Sequence, residues 1–397
     1  ILNTGVINSK LKWEKSKSFE LGLDLGFLDN RYNLILDYYN RTTSDLLTNV
    51  NLPGYTGFDS FKTNLGRLRN TGFEVEGNLS LIRNPKGFNW DFSFNASLVH
   101  NKIIKLPYNG NENNRQGGTQ VFDPKTQQVI WVGGYQEGHT MGDIYAYKQV
   151  KILSDWNEVN TMAGDYIDMI AGLYGPNVSD ADKKKYGLTK PIEPGDVLWA
   201  DLDGNHKIDQ LDRVKVGNIY PKWTGGFSTT LSYKNVSLYG RFDFALGHTI
   251  LNMVAMRSLG QSVGFKNIIK EGLKTWTEEN TNTDLPKSYY DDSTNKKNIY
   301  RDTKGSDITS VNDRSSRFYE KGDYLALREL TLNWKLPVNW ISKVGMTNAS
   351  VYITGQNLFY ITGYSGSSPE APLTYPGVDA GRYPTPRTVL FGASVSF

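Results

Sequence analysis

Cysteine is absent from these 397 residues. Its absence excludes a disulfide scaffold, a thiolate zinc site and a cysteine nucleophile, while a cell-envelope location stays open. Histidine is nearly as scarce. His100, His139, His206 and His248 stand in none of the HxxxH, HExxH or triad-like spacings that metal or nucleophilic chemistry needs. No run approaches the roughly 18 consecutive apolar residues of a membrane-spanning helix. Net charge is only +3, without a basic tract that could track phosphates, so nucleic acid is not an expected partner. The chain opens on Ile1 with no signal-peptide pattern behind it and therefore reads as a piece of something longer.

What is present is aromatic and glycine-rich: 24 Tyr, 17 Phe, 9 Trp and 39 Gly in a chain only 38% hydrophobic. With a mean hydropathy of -0.48, this suits a β-rich protein with long polar loops, or a membrane β-barrel whose lipid-facing and lumen-facing residues alternate. Alternation of period two recurs from end to end. Phe19, Leu21, Leu23, Leu25 and Phe27 oppose Glu20, Gly22, Asp24 and Gly26; Tyr32, Leu34, Leu36 and Tyr38 oppose Asn33, Ile35, Asp37 and Tyr39. A third run sets Phe73, Val75, Leu79 and Leu81 against Glu74, Glu76, Asn78 and Ser80, and a fourth sets Phe88, Trp90, Phe92, Phe94, Ala96 and Leu98 against Asn89, Asp91, Ser93, Asn95 and Ser97. Further runs begin at Phe227, Val236, Leu330 and Ala349, and the last, "VLFGASVSF", carries Val389, Phe391, Ala393, Val395 and Phe397 on one face.

Most of these nine runs hold alternating cores of roughly 7 to 11 residues, longer than the ~5 to 6 of a mean globular strand and close to the ~9 to 11 of a tilted spanning strand. Their connections alternate strictly between short and long. Short ones follow runs one, three, five and seven, while the long ones cover roughly 39–72, 99–222, 247–323 and 359–385. That is the pattern of an up-and-down barrel with tight periplasmic turns and large external loops. "GDIYAYKQVKIL" also looks strand-like, but a spanning strand there would break the alternation, so a hairpin or ledge within the external loop is expected. Bacterial single-chain barrels have even strand numbers, and nine runs therefore imply that a preceding part of the barrel is missing here.

The most specific local motif is "DLDGNHKIDQLD". Asp201, Asp203, Asn205, the Lys207 carbonyl, Asp209 and Asp212 stand at positions 1, 3, 5, 7, 9 and 12 of a calcium loop, with Ile208 at the apolar position 8. Hard oxygen donors at that spacing wrap one Ca²⁺, here in a structural role. His206 replaces the turn glycine of position 6, and Asp212 is shorter than the bidentate Glu of position 12; an Asp-rich solvated turn is the other reading. Glu74, Glu76 and Asp91 could mimic an acid/base pair, but alternation already explains them as inward polar positions. Trp131, Trp199, Trp223, Tyr145 and Tyr147 lie in or beside the great second loop. Trp131, Trp199, Tyr145 and Tyr147 are the candidates for stacking on a substrate such as a sugar ring, against packing in the loop or an interfacial girdle as the alternatives.

Six ordered blocks carry a resemblance: "LKWEKSKSFELGLDLGFLDNRYNLILDYYNRTTSDLL", "NLGRLRNTGFEVEGNLSLI", "GDVLWADLDGNHKIDQLDRVKVGNIYPKWTGGFSTTLSY", "GDYLALRELTLNWKLP", "VYITGQNLFYITGYSGSSPE" and "YPTPRTVLFGASVSF". Over nearly the whole chain they resemble the C-terminal half of SusC/RagA-type TonB-dependent outer-membrane transporters of Bacteroidota. Asn357, Leu358 and Phe359, then Tyr364, Ser365, Gly366, Pro369 and Glu370, match motifs leading into the last external loop. Ser368, where an Asp commonly stands, and His206 depart from the pattern. The resemblance implies an all-β, antiparallel transmembrane β-barrel of which this chain holds about 9 C-terminal strands of about 22. It also implies an N-terminal plug and first barrel half that are absent here, coupling to TonB/ExbBD through that absent region, a SusD-like surface lipoprotein, contact with outer-membrane lipid, and Phe397 as the barrel-assembly signal.

The resulting expectation is one domain, 1–397, that forms part of an active importer of oligomeric nutrients, glycans or peptides, with long extracellular loops at 99–222 and 247–323 and no enzymatic activity. Two rivals remain: a siderophore or cobalamin receptor of the same architecture, and a secreted β-rich glycan-binding protein. The second rival requires the apolar strand faces to pack against each other.

Overall fold

The computed structural model describes residues 8–52, 56–58, 60–260, 269–289, 297–299, 301, 314–370 and 376–397; the remainder of the expected 247–323 loop lies outside them. Nine strands form one sheet: β1 (Lys15–Phe27), β2 (Tyr32–Asn51), β3 (Ser60–Ile82), β4 (Phe88–Lys105), β5 (Trp223–Tyr233), β6 (Val236–Leu246), β7 (Tyr324–Lys335), β8 (Asn348–Thr362) and β9 (Thr388–Ser396). Each pairs antiparallel with its neighbours in chain order, and each expected run falls on its own strand, the last reaching one residue past β9 to Phe397.

Alternation decides the two faces. Phe19, Leu21, Leu23 and Phe27 of β1 are 62%, 63%, 51% and 52% exposed, so this apolar face is open, and among the described residues no second sheet packs against it. This goes against the secreted β-rich glycan-binding protein among the rivals, which required that face to be buried. Along this face Phe92, Phe94, Phe227 and Phe242 form a ring ladder, with Phe227 and Phe242 stacked at 4.6 Å. Thr229 interrupts the outward apolar row for a reason: its hydroxyl accepts the Trp90 indole N–H at 2.9 Å, leaving that donor satisfied away from water. The opposite face is polar and pairs with itself. Ser97 donates to Glu74 at 3.1 Å, Ser80 to Asp91 at 2.7 Å, and Arg241 lies 3.8 Å from Glu329.

Short connections occupy 28–31, 83–87, 234–235 and 336–347, as expected. In the first, Leu28, Asp29 and Asn30 all take left-handed backbone, with φ of 52°, 55° and 59°, which reverses the chain within four residues. The long side differs from expectation. β2, β3 and β4 run for 20, 23 and 18 residues, far past a membrane crossing, so the first long connection shrinks from 39–72 to the few residues between Asn51 and Ser60, and the second begins only after Lys105. Backbone pairing continues there although the side chains turn polar.

The second, third and fourth long connections fold into a body over that end of the sheet. Its apolar clusters, built on Tyr147, Leu153, Trp199 and Ile208, on Leu251, Met256 and Phe318, and on Ile167 and Leu188, hold the buried core of the described residues. "GDIYAYKQVKIL", expected as a hairpin or ledge, forms a two-part ledge. Asp143–Tyr147 pairs with Arg213–Asn218, and Gln149–Ile152 with Val197–Trp199.

Candidate functional site

Three polar features of this body bear on function. One is the Asp-rich loop. Lys207 and Ile208 pair in parallel with Ile167 and Asp168, and Ile208 is fully buried, so the loop is stitched to the core at its apolar position. His206 adopts φ 60°, the left-handed conformation that position 6 demands, and its N–H donates to Asp201 at 2.8 Å. Oxygens of Asp201, Asp203 and Asp212 lie within 4.8 Å of one another. Burial first, and then the Asp209 and Asp201 carboxylates, push Asp212 up to about 7 against the backbone N–H bonds it accepts from Leu202 and Asp209. Burial and the neighbouring Asp201 likewise raise Asp203. Crowded carboxylates short of positive charge are a donor set that suits a hard cation. Asp209 stands outside that group of three although its charge reaches it: it accepts the Leu211 N–H at 2.7 Å and caps a short 3₁₀ turn. Asn205 accepts the Lys207 N–H at 2.7 Å within the same turn.

The second feature concerns the candidate aromatics, which separate. Trp199 and Tyr147 are 3% and 1% exposed and pack edge-to-face at 6.5 Å. The Arg301 guanidinium covers both rings, 4.5 Å from Trp199 and 5.2 Å from Tyr147, while pairing with Asp168 through two bonds of 2.8 and 2.9 Å. Neither ring offers a face to a ligand, which corrects the stacking role expected for them; the covering cation comes from a segment about a hundred residues away. Trp131 is half-buried with Arg115 over its ring at 3.7 Å. Tyr145 is half-buried beside Asp143, and burial followed by the charges of Asp143 and Asp123 pushes its phenol up to about 12. Phe397 follows β9 and is 84% exposed, in phase with outward Val395.

Sequence reasoning missed the third feature, an open cavity of about 780 Å³ between the third and fourth long connections. This lies in the size range of ligand pockets, ~300–1,000 Å³. Val254, Ala255, Leu259 and Leu285 supply apolar lining; Asn252, Arg317 and Arg382 supply polar groups. Asn252 is fixed three ways: it accepts the Ala255 N–H at 2.9 Å, capping the helix Met253–Gly260, and donates to Glu320 at 2.9 Å and Ser365 at 3.0 Å. Tyr364 donates to Asp379 at 2.7 Å, and burial followed by that carboxylate pushes its phenol upward. Arg317 is half-buried, its guanidinium meeting only the Asp284 carbonyl at 2.5 Å among the described residues; burial lowers its pKa. Arg382 bonds Ser368 at 3.0 Å. The block "YSGSSPE" was the available signal, since Ser365 and Gly366 line the cavity.

The same block fastens to the strand wall. Arg328 sits at a bulge where β7 meets β6 and β8, and makes a bidentate pair with Asp243 together with bonds to Glu370 and, at 3.1 Å, to Tyr360. His248 is 5% exposed and reaches the Pro369 carbonyl at 3.3 Å.

With this geometry in hand, comparison with known proteins is specific. The family described as "TonB dependent receptor-like, beta-barrel" matches residues 2–358. TonB-dependent receptor P3 of Formosa agariphila is 32% identical over 406 residues, covering 100% of this chain and 35% of the relative. TonB-dependent receptor SusC of Bacteroides thetaiotaomicron is 28% identical over 403 residues, covering 98% and 32%. A solved structure of the RagAB peptide transporter superposes with a TM-score of 0.65 at 24% identity over 97% of this chain and 36% of that one; the RagAB peptide importer in its open-open state gives 0.66. The chain thus spans about a third of the length of the curated relatives it matches.

Proposed function

Because the chain belongs to the TonB-dependent receptor-like β-barrel family of the outer membrane, we propose that it supplies lumen wall and external loops to a SusC/RagA-type importer of oligomeric nutrients. The observation that carries this reading is the two-faced sheet, apolar and open outward, polar and self-paired inward, capped at one end by a folded body with its own core. In this role the protein binds and passes cargo and breaks no bond. The 780 Å³ cavity, where Arg317 and Arg382 join an apolar lining beside the internally bonded Asn252, is the cargo contact this chain contributes. Glycan and peptide are both oligomers, and one relative is named SusC while the structural neighbours are titled a peptide transporter or importer. A SusD-like lipoprotein is the proposed partner at the body, and TonB/ExbBD the proposed source of energy through the rest of the protein. The Asp201, Asp203, Asn205, Lys207 carbonyl and Asp212 loop is proposed to hold Ca²⁺ as a stiffener, supported by its spacing and its crowded carboxylates. Phe397 extends the outward row and is proposed to be read during barrel assembly.

The test is uptake of fluorescent oligosaccharide and oligopeptide libraries by cells carrying the full protein with Asn252→Ala and Arg317→Ala. Reduced uptake of one library at unchanged surface level supports the reading. Uptake of both at the parental rate removes the cavity from cargo binding.

A further inference from the structure

The outward face does not stay apolar to the end of the strands. Directly opposed residues of an antiparallel pair share one face, so the register across β1 to β4 can be followed outward row by row. Leu21, Tyr38, Phe73 and Leu98 form one row; Phe19, Asn40, Thr71 and His100 the next. Then come Lys17, Thr42, Arg69 and Lys102, and beyond them Lys15, Ser44, Arg67 and Lys105. All six cations of these last two rows are exposed.

Their height is set by strand geometry. From Phe88 to Leu98 the outward apolar row of β4 advances ten residue steps, about 34 Å of strand or ~25 Å of height at the usual tilt, which is the apolar band of a barrel. Lys102 lies four residues further, ~10 Å above the band's edge on the same arithmetic, at headgroup level. The long connections lie at this end, so the rows face the outer leaflet on the orientation proposed above.

Electrostatically the patch is incomplete. Arg69 stands opposite Lys102 and Arg67 opposite Lys105, like-charge pairs that cost stability in a sheet. Among the described residues only Lys15 of these six has an ion pair, with Asp45 at 3.9 Å; the nearby acids Glu14 and Glu137 accept the Leu47 and Leu106 N–H groups at 2.9 and 2.8 Å. Lys17, Thr42, Ser44, Arg67 and Arg69 surround a depression of about 440 Å³, with Phe19 on its side toward the apolar band. Arginine forks, lysine and hydroxyls around a hollow that joins an apolar surface are the chemistry of a phosphate carried on a lipid.

We propose that Lys17, Arg67 and Arg69, with Lys102 and Lys105 beside them, form a binding site on the barrel's outer wall for the phosphate groups of an outer-leaflet glycolipid. The site is separate from the cargo cavity and from the lumen. Bound phosphates relieve the like-charge pairs, and the acyl chains lie along Phe19, Leu21 and Tyr38.

The test uses the full transporter extracted from the outer membrane and delipidated, with Lys17→Gln, Arg67→Gln and Arg69→Gln combined, and heat-modifiable migration to verify the barrel fold. Binding of diphosphoryl lipid A, dephosphorylated lipid A, phosphatidylglycerol and inorganic pyrophosphate is measured by native mass spectrometry. The expected result is retention of diphosphoryl lipid A, weakened at least about tenfold by dephosphorylation and by the triple variant, since charge-assisted bonds to phosphate are the strong ones. The delipidated triple variant is expected to be no less heat-stable than the parent. Equal binding by the triple variant overturns the site, and pyrophosphate binding as tightly as lipid A overturns the lipid. A preference for phosphatidylglycerol overturns the leaflet assignment, whereas protease access to the long connections on intact cells reads the orientation independently.

Discussion

The strand wall and the loop body are made from the same kinds of residue arranged in opposite ways. In the wall, Leu21, Phe391 and Leu332 are 63%, 79% and 46% exposed; in the body, Leu153, Ile208 and Ile250 are at 0%. The wall meets a solvent as apolar as its own side chains, so its cohesion rests on the backbone ladder and closed hydrogen bonding. The body meets water and folds like a small soluble domain, by burying apolar surface. It also buries two ion pairs: Arg301 with Asp168, and Lys297 with Asp196 at 2.9 Å. The chain thus carries two folding regimes divided by height, and perturbations should stay within the regime they strike.

Arg301→Ala is the strongest attempt to break that division. Removing the partner of a buried carboxylate costs about 3–5 kcal/mol, so protease should cut the second and third long connections while heat-modifiable migration of the barrel persists. Loss of both together would show one cooperative unit. Leu330→Arg strikes the other regime. A cation on the lipid face near the middle of the band costs ~2–4 kcal/mol, lowering the denaturant midpoint of the reconstituted barrel, whereas Asn333→Arg on the inward face should change it little.

The wall was legible because period two survives wherever one face meets lipid and the other water. The nine runs from Phe19 to Phe397 therefore fall on nine strands. Strand ends were not legible: above the band both faces are polar, and Thr42, Ser44, Arg67 and Arg69 look like loop although they continue the ladder. Within the body, Asp143–Tyr147 finds its strand partner at Arg213–Asn218, a pairing no local pattern announces. The same distance hid the site. Trp199 and Tyr147 look free for stacking until Arg301 covers them, and the cavity joins Asn252 to Ser365 across more than a hundred residues.

A smaller effect is expected from calcium. Chelation with EGTA should raise the rate of proteolysis around residues 201–212 a few-fold without altering the wall, since a bound ion stabilises the loop by mass action alone. Asp201→Asn should reproduce the change, and an unaltered rate in both would leave the loop a solvated turn.

The central claim is that one face of the strands meets lipid and the other water, and labelling along β7 tests it most directly. This chain has no native cysteine, so once any cysteine in the rest of the transporter is replaced by serine each single-cysteine variant reports from one known site. In proteoliposomes holding the full transporter, cysteines at Glu329, Thr331 and Asn333 should react with a charged aqueous maleimide. Those at Leu330, Leu332 and Trp334 should resist it and react with a membrane-dissolved probe. Aqueous labelling at all six positions, or no alternation between them, would contradict the two-faced wall on which the functional reading stands.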